Sequence, residues 1–306
     1  HVVRNHQRLV VSTYTINLQQ QIIEKDLPLI NAILPYEFSA VLVKGRSNYL
    51  CLRRLARAID KQQSLFIDPS LGNIFEKLRA WAKENPDATV SEIDQKIPGW
   101  VWNQVSSEQG NCLGKRCVFF HRCPFWRSRR RMLNANILVV NHALLFSELS
   151  AHKDGVSLLG KYDNVIIDEA HNIENVASEH FGIVINETQV YRILGELYNT
   201  RHQKGLLVAM DAQSAVKSTE QATLAARDFF QRINDYYQPQ RNNDQIIGPL
   251  REQNTLTPAL KNLSNELREV RISLTDEDGR FEINNFKERL LGLASEIEDF
   301  VTQSRP

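Results

Sequence analysis

An apolar run that leads directly into two acidic residues is the feature that most constrains the fold of this chain. Val165–Ile167 is followed at once by Asp168, Glu169, Ala170 and His171. A short, continuous β-branched run predicts a buried strand of a parallel α/β sheet, and such sheets bind ligands outside the carboxyl ends of their strands. The sequence therefore predicts two carboxylates at a ligand-binding edge.

Two carboxylates at such an edge favour magnesium-nucleotide chemistry. Asp168 would hold Mg²⁺, and Glu169 would polarise the water that attacks the γ-phosphate of ATP. His171, two residues further on, would relay the state of the nucleotide. The alternative is a strand that runs into an acidic helix N-terminus, which the helix dipole favours without any chemistry.

The cysteines provide a second, independent signal. The chain has four, of which Cys112, Cys117 and Cys123 form a C-x4-C-x5-C triplet, while Cys51 stands alone upstream. Three close thiolates and one remote thiolate suit a cuboidal iron-sulfur cluster, in which each iron takes one protein sulfur. Because Cys51 opens a helical pattern with nearby arginines, we expect its pKa to be lowered.

Two other uses of the cysteines compete with the cluster. Structural zinc also takes four thiolates, although its sites usually show paired C-x2-4-C knuckles rather than a triplet and a distant single residue. A disulfide framework is disfavoured, because a chain of this length can bury a large core and shows no secretory segment.

A local basic and aromatic stretch surrounds the cysteine triplet. Residues 112–131 contain seven lysines and arginines and no acidic residue, in a chain whose formal net charge is +1. Interleaved aromatic residues favour a groove that follows phosphates and stacks unpaired bases. We predict Arg127, Arg129 and Arg130 as phosphate contacts and Trp126 as a stacking residue. The alternatives are a solvated charged face and a hydrophobic wall around the cluster.

The C-terminal part of the chain has helical periodicity and no catalytic constellation. Leu256, Leu260, Leu263, Leu267 and Val270 repeat at helical spacing, as do Leu290, Leu293, Ile297 and Phe300. These patterns predict two amphipathic helices packed against each other, with residues 275–279 as the turn. A short hairpin of residues 271–273 with 281–283 is the alternative, and residues 238–244 are predicted to be a polar loop.

Taken in order, these segments resemble the DinG and XPD group of iron-sulfur helicases in superfamily 2, and in particular its bacterial DinG-like branch. Residues 10–21 are similar to motif Ia, and residues 44–51 to the entry of the cluster domain. The cysteine triplet follows, then residues 135–145, which look like the strand that returns to the motor domain. Residues 165–171 are similar to motif II, the DEAH box.

The resemblance implies a function and a set of site residues. It implies part of an ATP-dependent helicase that translocates 5′ to 3′ on single-stranded DNA and acts in replication and repair. A 4Fe-4S cluster would be held by Cys51, Cys112, Cys117 and Cys123. Asp168 would meet magnesium, Glu169 would activate water, and His171 would complete the catalytic motif. Ser12 and Thr13 would contact the DNA backbone.

The expected fold class is α/β. A partial RecA-like motor domain with a parallel sheet would carry a mainly helical iron-sulfur insertion and a helical Arch domain. The expected divisions are residues 1–45 and 128–182 for the first motor domain, 46–127 for the cluster domain, and 183–306 for the Arch domain, truncated at its end. Within the cluster domain, Trp100 and Trp102 are predicted to lie in the core.

One motif that a helicase motor needs does not occur in these 306 residues. The phosphate-binding loop G-x-x-x-x-G-K-[ST] cradles the phosphates of ATP, and its nearest counterpart, the stretch from Gly110 to Lys115, is one residue short. Because the chain also begins at His1, we expect an internal fragment that does not hydrolyse ATP by itself. The alternative function is a non-enzymatic iron-sulfur module that binds nucleic acid or senses oxidation.

The expected partners and location follow from the same reading. Single-stranded DNA and forked or hybrid duplexes are the expected ligands, with a single-strand-binding protein as a further partner of a monomeric enzyme. No apolar run has the length that a bilayer requires, so no membrane partner is expected. Reduced cysteines and a labile cluster favour the bacterial cytoplasm, at the nucleoid.

Overall fold

The computed structural model describes residues 1–65, 69–93, 97–153, 155–237 and 254–302. The chain divides into two compact units, His1–Gly182 and Ile183–Pro306. The first contains a sheet and two groups of helices, and the second is helical. This confirms the predicted α/β class with helical additions. The predicted polar loop at residues 238–244 lies outside the described residues.

The first unit is built on a parallel sheet of four strands in the order β2-β3-β1-β4. The strands are β1 (Leu9–Thr13), β2 (Ala40–Leu42), β3 (Ile137–Asn141) and β4 (Asn164–Ile167). β1 pairs with β3 on one side and β4 on the other, with Leu9 opposite both Ile137 and Asn164. All four strands therefore end at the same edge of the sheet.

Helices cover both faces of the two central strands. The helices on these faces are α1 (Ile16–Gln21), α2 (Leu27–Ile33), α6 (Pro124–Leu133) and α7 (His142–Lys153), and α8 (Ile173–Phe181) packs against α7. Alternate residues of the strands face opposite sides. Val10 and Leu138 therefore belong to one apolar cluster, while Leu9 and Val139 belong to another. Burial on both faces explains the continuous apolar sequence of β3.

Arg8, at the start of β1, ties the sheet to the segments beside it. Its guanidinium donates to the backbone carbonyls of Met132, Ala135, Leu159 and Lys161, and its backbone N–H donates to Asp163. Burial lowers the pKa of Arg8. Four backbone carbonyls outside the strands thus obtain a side-chain donor.

The segment between β2 and β3 forms its own helical layer. It contains α3 (Leu52–Leu65), α4 (Pro69–Glu84) and α5 (Gly99–Val105), packed around a core that includes Leu50, Phe75 and Val105. Trp102 is buried there as predicted, and its indole N–H donates to the Ser47 carbonyl. The prediction for Trp100 is wrong, since 55% of this residue is exposed on the opposite side of the short α5.

The second unit is a helical bundle. Its helices are α9 (Glu187–Leu197), α10 (Leu206–Ala209), α11 (Gln213–Tyr237), α12 (Leu256–Ser273) and α13 (Glu277–Thr302). The predicted apolar faces of α12 and α13 are confirmed, because Leu260, Leu263, Leu290 and Ile297 are fully buried in one cluster. The alternative hairpin is wrong, since α12 runs through residue 273 and α13 includes residues 281–283.

The expectation that β4 is buried is also wrong. Val165, Ile166 and Ile167 are between 39% and 53% exposed. Among the described residues β4 pairs only with β1, and it is one of the two edge strands of the sheet, β2 being the other. Separately, no helix in the described ranges is both long and apolar enough to cross a bilayer.

Candidate functional site

The carboxyl ends of β1, β3 and β4 bring three polar segments together. Ser12 lies near the end of β1, His142 follows β3, and Asp168 follows β4. The Ser12 hydroxyl and His142 Nδ1 are 2.7 Å apart, and the Asp168 backbone N–H donates to the Ser12 carbonyl at 2.9 Å. The central strand therefore anchors both neighbours at the edge where α/β sheets bind ligands.

The two carboxylates of the acidic motif follow this anchor. Glu169 has φ 50° and ψ 43°, a left-handed conformation that is uncommon for a residue with a side chain and that concentrates at functional sites. The residues that follow form a 3₁₀ turn, Ala170–Asn172, before α8 begins. The turn leaves Glu169 and His171 exposed, with His171 Nδ1 3.3 Å from Glu169 Oε2. This exposure gives the Glu169 carboxylate access to water.

His142 is buried beneath the motif. Only 1% of the residue is exposed, and its Nε2 has no hydrogen-bond partner among the described residues. Burial lowers the pKa of His142, which the nearby Asp168 opposes only in part. The side chain of Asn141 accepts from the Leu144 N–H and thereby caps α7. Asn141 thus caps the turn, and His142 contacts Ser12.

The predicted DNA contacts at the end of β1 are buried. Ser12 and Thr13 are both 0% exposed, and the Thr13 hydroxyl donates to the Thr15 carbonyl. Thr15 in turn accepts from the Leu18 N–H and caps α1. Tyr14, in the same loop, is 50% exposed, and its ring centroid lies 6.2 Å from that of His142. Any contact of Ser12 or Thr13 side chains with DNA would require this loop to open.

The sulfurs of Cys51 and Cys112 both lie within electrostatic reach of the Cys123 sulfur. Cys51 precedes α3, and the backbone N–H groups of Arg53 and Arg54 donate to its sulfur. Cys123 precedes α6 and accepts N–H groups of that helix in the same way. The Cys112 sulfur accepts from the Gly114 N–H. Helix starts and turns thus direct N–H donors toward all three sulfurs.

The thiol pKa values depend mainly on burial. Burial raises the pKa of Cys51, so the expected lowering by the helix N-terminus is wrong for this residue: desolvation exceeds the effect of the amides and arginines. Burial and the nearby Cys51 and Cys112 raise the pKa of Cys123 to about 11. At Cys112 burial is outweighed by the Gly114 N–H, Arg46 and Trp126, and the pKa is lowered.

The cysteine arrangement is open rather than closed around a point. All four cysteines are free thiols of intermediate burial. Within the described residues, no group of three or more His, Cys, Asp or Glu side chains is arranged to hold a metal ion. Cys117 lies between the 3₁₀ turns Gly114–Arg116 and Phe120–Arg122, and its N–H donates to the Gly114 carbonyl.

The predicted DNA-binding arginines of α6 have different environments. Arg129 is partly buried, its guanidinium donates to the Leu158 carbonyl, and burial lowers its pKa. Arg130 is exposed and donates to the His121 carbonyl. Arg127 is half-exposed and lies 3.5 Å from Asp87, which also pairs with Arg131 at 2.9 Å. The structure therefore separates Arg129, which faces the interior, from arginines that solvent reaches.

Trp126 also faces inward in part. Its ring centroid lies 5.4 Å from that of Phe120 and 5.5 Å from that of Phe125, and its indole nitrogen is buried beside Cys112. Phe125 is in turn covered by Arg46, whose guanidinium carbon lies 3.9 Å from the ring centroid. These contacts favour the alternative that aromatic residues wall the cysteine region.

Sequence reasoning missed several residues of this region. Asp87 and Arg46 lie outside the basic stretch, and Tyr49, whose hydroxyl hydrogen-bonds that of Ser128 at 2.8 Å, precedes the first cysteine. The only signal for Arg46 and Tyr49 is their position just before Cys51. Nothing in the local sequence around Asp87 indicates its two partners.

Comparison with known proteins finds helicases. The DEAD_2 family model matches residues 104–190. The chain is 29% identical over 236 residues to "ATP-dependent DNA helicase YoaA" of Escherichia coli K12, covering 74% of this chain and 35% of that protein. It is 34% identical over 185 residues to "ATP-dependent DNA helicase DinG" of Photobacterium profundum, covering 57% and 26%.

A third relative carries a different name. The "3'-5' exonuclease DinG" of Bacillus subtilis is 29% identical over 206 residues, which cover 66% of this chain and 21% of that protein. The chain therefore spans about a third or less of the length of the relatives it matches.

Proposed function

Because the chain is a member of the DinG-like helicase superfamily, we propose that it forms part of an ATP-dependent DNA helicase. The observation that carries this proposal is the position of Asp168 and Glu169. They follow an outer strand of a parallel sheet, beside the anchored end of β1, at the edge where such sheets bind nucleotides. The turn that follows leaves the side chains of Glu169 and His171 exposed to solvent.

The proposed chemistry assigns separate tasks to the two carboxylates. Asp168 would hold Mg²⁺, and the hydrogen bond from its backbone N–H to the Ser12 carbonyl fixes the position of its backbone. When bound there, Mg²⁺ would neutralise negative charge on the phosphates of ATP. Glu169 orients the attacking water and accepts its proton, and His171, beside its carboxylate, holds that side chain in place.

The cysteines suit a 4Fe-4S cluster. Cys51, Cys112, Cys117 and Cys123 supply one thiolate for each iron, and three of the sulfurs already receive backbone N–H donors, which stabilise charge on cluster sulfur. A cuboidal cluster spaces its ligands around a cage. An arrangement too open for a single ion is therefore compatible with it. The cluster would fix the N-terminal end of α6 through Cys123.

The proposed ligand is single-stranded DNA, including the single strands of forked or hybrid duplexes, with movement 5′ to 3′. The support is the similarity to DNA helicases together with the exposed basic residues Lys115, Arg122, Arg127, Arg130 and Arg131 around the cysteine region. Trp126 and Arg129 contribute by holding α6 rather than by meeting phosphate, because both are engaged with protein groups.

The catalytic proposal is tested with Glu169→Gln in the full-length protein. The variant keeps the shape of the site but lacks the base, so DNA-stimulated ATP hydrolysis should fall at least about 100-fold while nucleotide affinity is retained. Glu174→Gln, which changes an exposed carboxylate in the first turn of α8, is the matched control and should hydrolyse ATP normally. Hydrolysis by Glu169→Gln at the rate of the control would contradict the role of Glu169 as the base, whereas absence of hydrolysis in the unmodified full-length protein would favour a non-enzymatic binding module.

The cofactor proposal is tested on this chain, purified without oxygen. It should contain iron and acid-labile sulfide in equal amounts, about four of each per chain. Cys117→Ser should lose iron, whereas a serine substitution elsewhere in the insertion should not. Stoichiometric zinc without sulfide would contradict the cluster and favour a structural zinc site.

A further inference from the structure

Asp87 holds two arginines of α6 in one ion-pair group. Its Oδ1 lies 3.5 Å from Arg127 Nε, and its Oδ2 lies 2.9 Å from Arg131 Nη2. Arg127 and Arg131 are four residues apart, so they share a helix face and their Cα atoms are separated by about 6 Å along the axis. Their side chains are 50% and 45% exposed, which leaves both open to solvent.

The loop that carries Asp87 is held by the core of the insertion. The next residue, Ala88, is fully buried with φ 33°, and its carbonyl accepts the Leu50 N–H at 2.9 Å. Lys44 is a third cation within electrostatic reach of Asp87. The carboxylate is therefore positioned by backbone contacts, and the two arginine side chains extend to it from α6.

The other two arginines of this helix segment are not available in the same way. Arg129 donates to the Leu158 carbonyl and Arg130 to the His121 carbonyl. Arg127 and Arg131 have a carboxylate as their partner, and a carboxylate offers the same two-oxygen anionic face that a phosphodiester presents. Ion pairs with this degree of exposure contribute little to stability and exchange readily.

We propose that Arg127 and Arg131 form a phosphodiester-binding pair on α6, which Asp87 occupies in the protein without nucleic acid. This inference rests on the proposed function in binding single-stranded DNA. Phosphates of the strand replace the carboxylate when DNA binds, so Asp87 lowers the affinity and limits how long any backbone is held. Weaker binding of each phosphate suits a protein that moves along a strand.

The test measures binding of this chain, with its cofactor, to a fluorescent single-stranded oligonucleotide by anisotropy over a range of salt. Asp87→Asn keeps the size of the side chain and removes its charge, so affinity at low salt should rise roughly 3- to 10-fold. Arg127→Ala with Arg131→Ala should lower the slope of log K against log salt by about 1.4, which is 0.7 for each lost phosphate contact.

Three controls separate a specific effect from general charge. Glu84→Gln removes an exposed carboxylate three residues before Asp87 and should change affinity by less than about 2-fold. Asp87→Asn in the double-alanine background should have no further effect, because the groups it would release are absent. An oligonucleotide with uncharged methylphosphonate linkages should not distinguish Asp87→Asn from the unmodified chain.

The outcomes are distinct. A rise in affinity that needs both arginines supports the pair. An Asp87→Asn effect that equals that of Glu84→Gln, or that persists without the arginines, overturns the pair while DNA binding stands. Failure of the unmodified chain and of Asp87→Asn to bind single strands at any salt overturns the DNA-binding function and the pair together. Asp87→Ser repeats the test with a smaller side chain, and circular dichroism checks folding of each variant.

Discussion

A single buried hydrogen bond links the central strand of the sheet to the segment beneath the acidic motif. Ser12 and His142 are both inaccessible to solvent, and each supplies the partner for the other's polar atom. The same serine accepts the Asp168 N–H through its carbonyl. Ser12 and His142 therefore lie in the interior beside the acidic motif, and their hydrogen bond fixes the position of the strand ends.

Removing the Ser12 hydroxyl should lower the stability of the first unit. Ser12→Ala leaves His142 Nδ1 buried without a partner, which should lower the free energy of unfolding by about 1–3 kcal/mol. Ser47→Ala, at an exposed position, is the control and should change it by less than about 0.5 kcal/mol. Urea denaturation followed by fluorescence measures both. Indistinguishable midpoints for the two variants would contradict the role of the hydrogen bond.

At this scale the sequence predicted the position of a functional residue better than it predicted which side chains solvent reaches. Asp168 was predicted at a strand end because parallel strands end at one edge, and it lies there. Arg129 was predicted to face DNA, but its guanidinium donates to the Leu158 carbonyl, 29 positions away in the chain. Trp126 similarly packs on Phe120 and Phe125. Whether an arginine or a tryptophan is exposed to solvent depends on its tertiary neighbours, which the local sequence does not reveal.

At the scale of elements, the apolar residues of β4 are exposed to solvent. The run of β-branched residues correctly predicted a strand, because such residues suit a pleated backbone. Burial depends on what covers the strand, and β4 pairs with β1 alone within the described part of the chain. The exposed residues and the free backbone edge form a surface on which another strand can pair.

That edge should make this chain self-associate at high concentration. Ile166→Lys places a charge at the most exposed position of β4 and should reduce the weight-average mass seen by sedimentation above roughly micromolar concentration. Leu224→Lys adds the same charge at an exposed position of α11 and should leave self-association as it is. A mass that does not depend on concentration in the unmodified chain would argue against pairing through β4.

At the scale of the whole molecule, the two units have separate apolar cores. Among the residues that the structure describes, the core of the second unit includes Val190, Leu207, Leu263 and Val301. Helical periodicity predicted the packed faces of α12 and α13, since their leucines recur every three or four positions. It did not predict α10 or the turn before it, where the Asn199 N–H donates to the Lys204 carbonyl at 2.7 Å.

Residues 183–306 should accordingly fold when expressed alone. The fragment should give a helical circular dichroism spectrum and one cooperative urea transition. Leu263→Ala, at a fully buried position on α12, should destabilise it by about 2–5 kcal/mol. Leu224→Ala, on the exposed side of α11, should cost less than about 1 kcal/mol. A fragment with no cooperative transition would mean that the second core depends on residues 1–182.

The insertion between β2 and β3 also has a kinetic consequence. The Ser39 N–H donates to the Asn136 side chain, 97 positions away, and β2 lies beside β3 at this point. Bringing the ends of so long a loop together is entropically costly and slow, although the cost grows only logarithmically with loop length. The core around Phe75 forms entirely within the loop. If this core forms first, it brings the two ends of the loop closer together. The helices of the insertion, which contribute no strand to the sheet, then set the rate at which the sheet assembles.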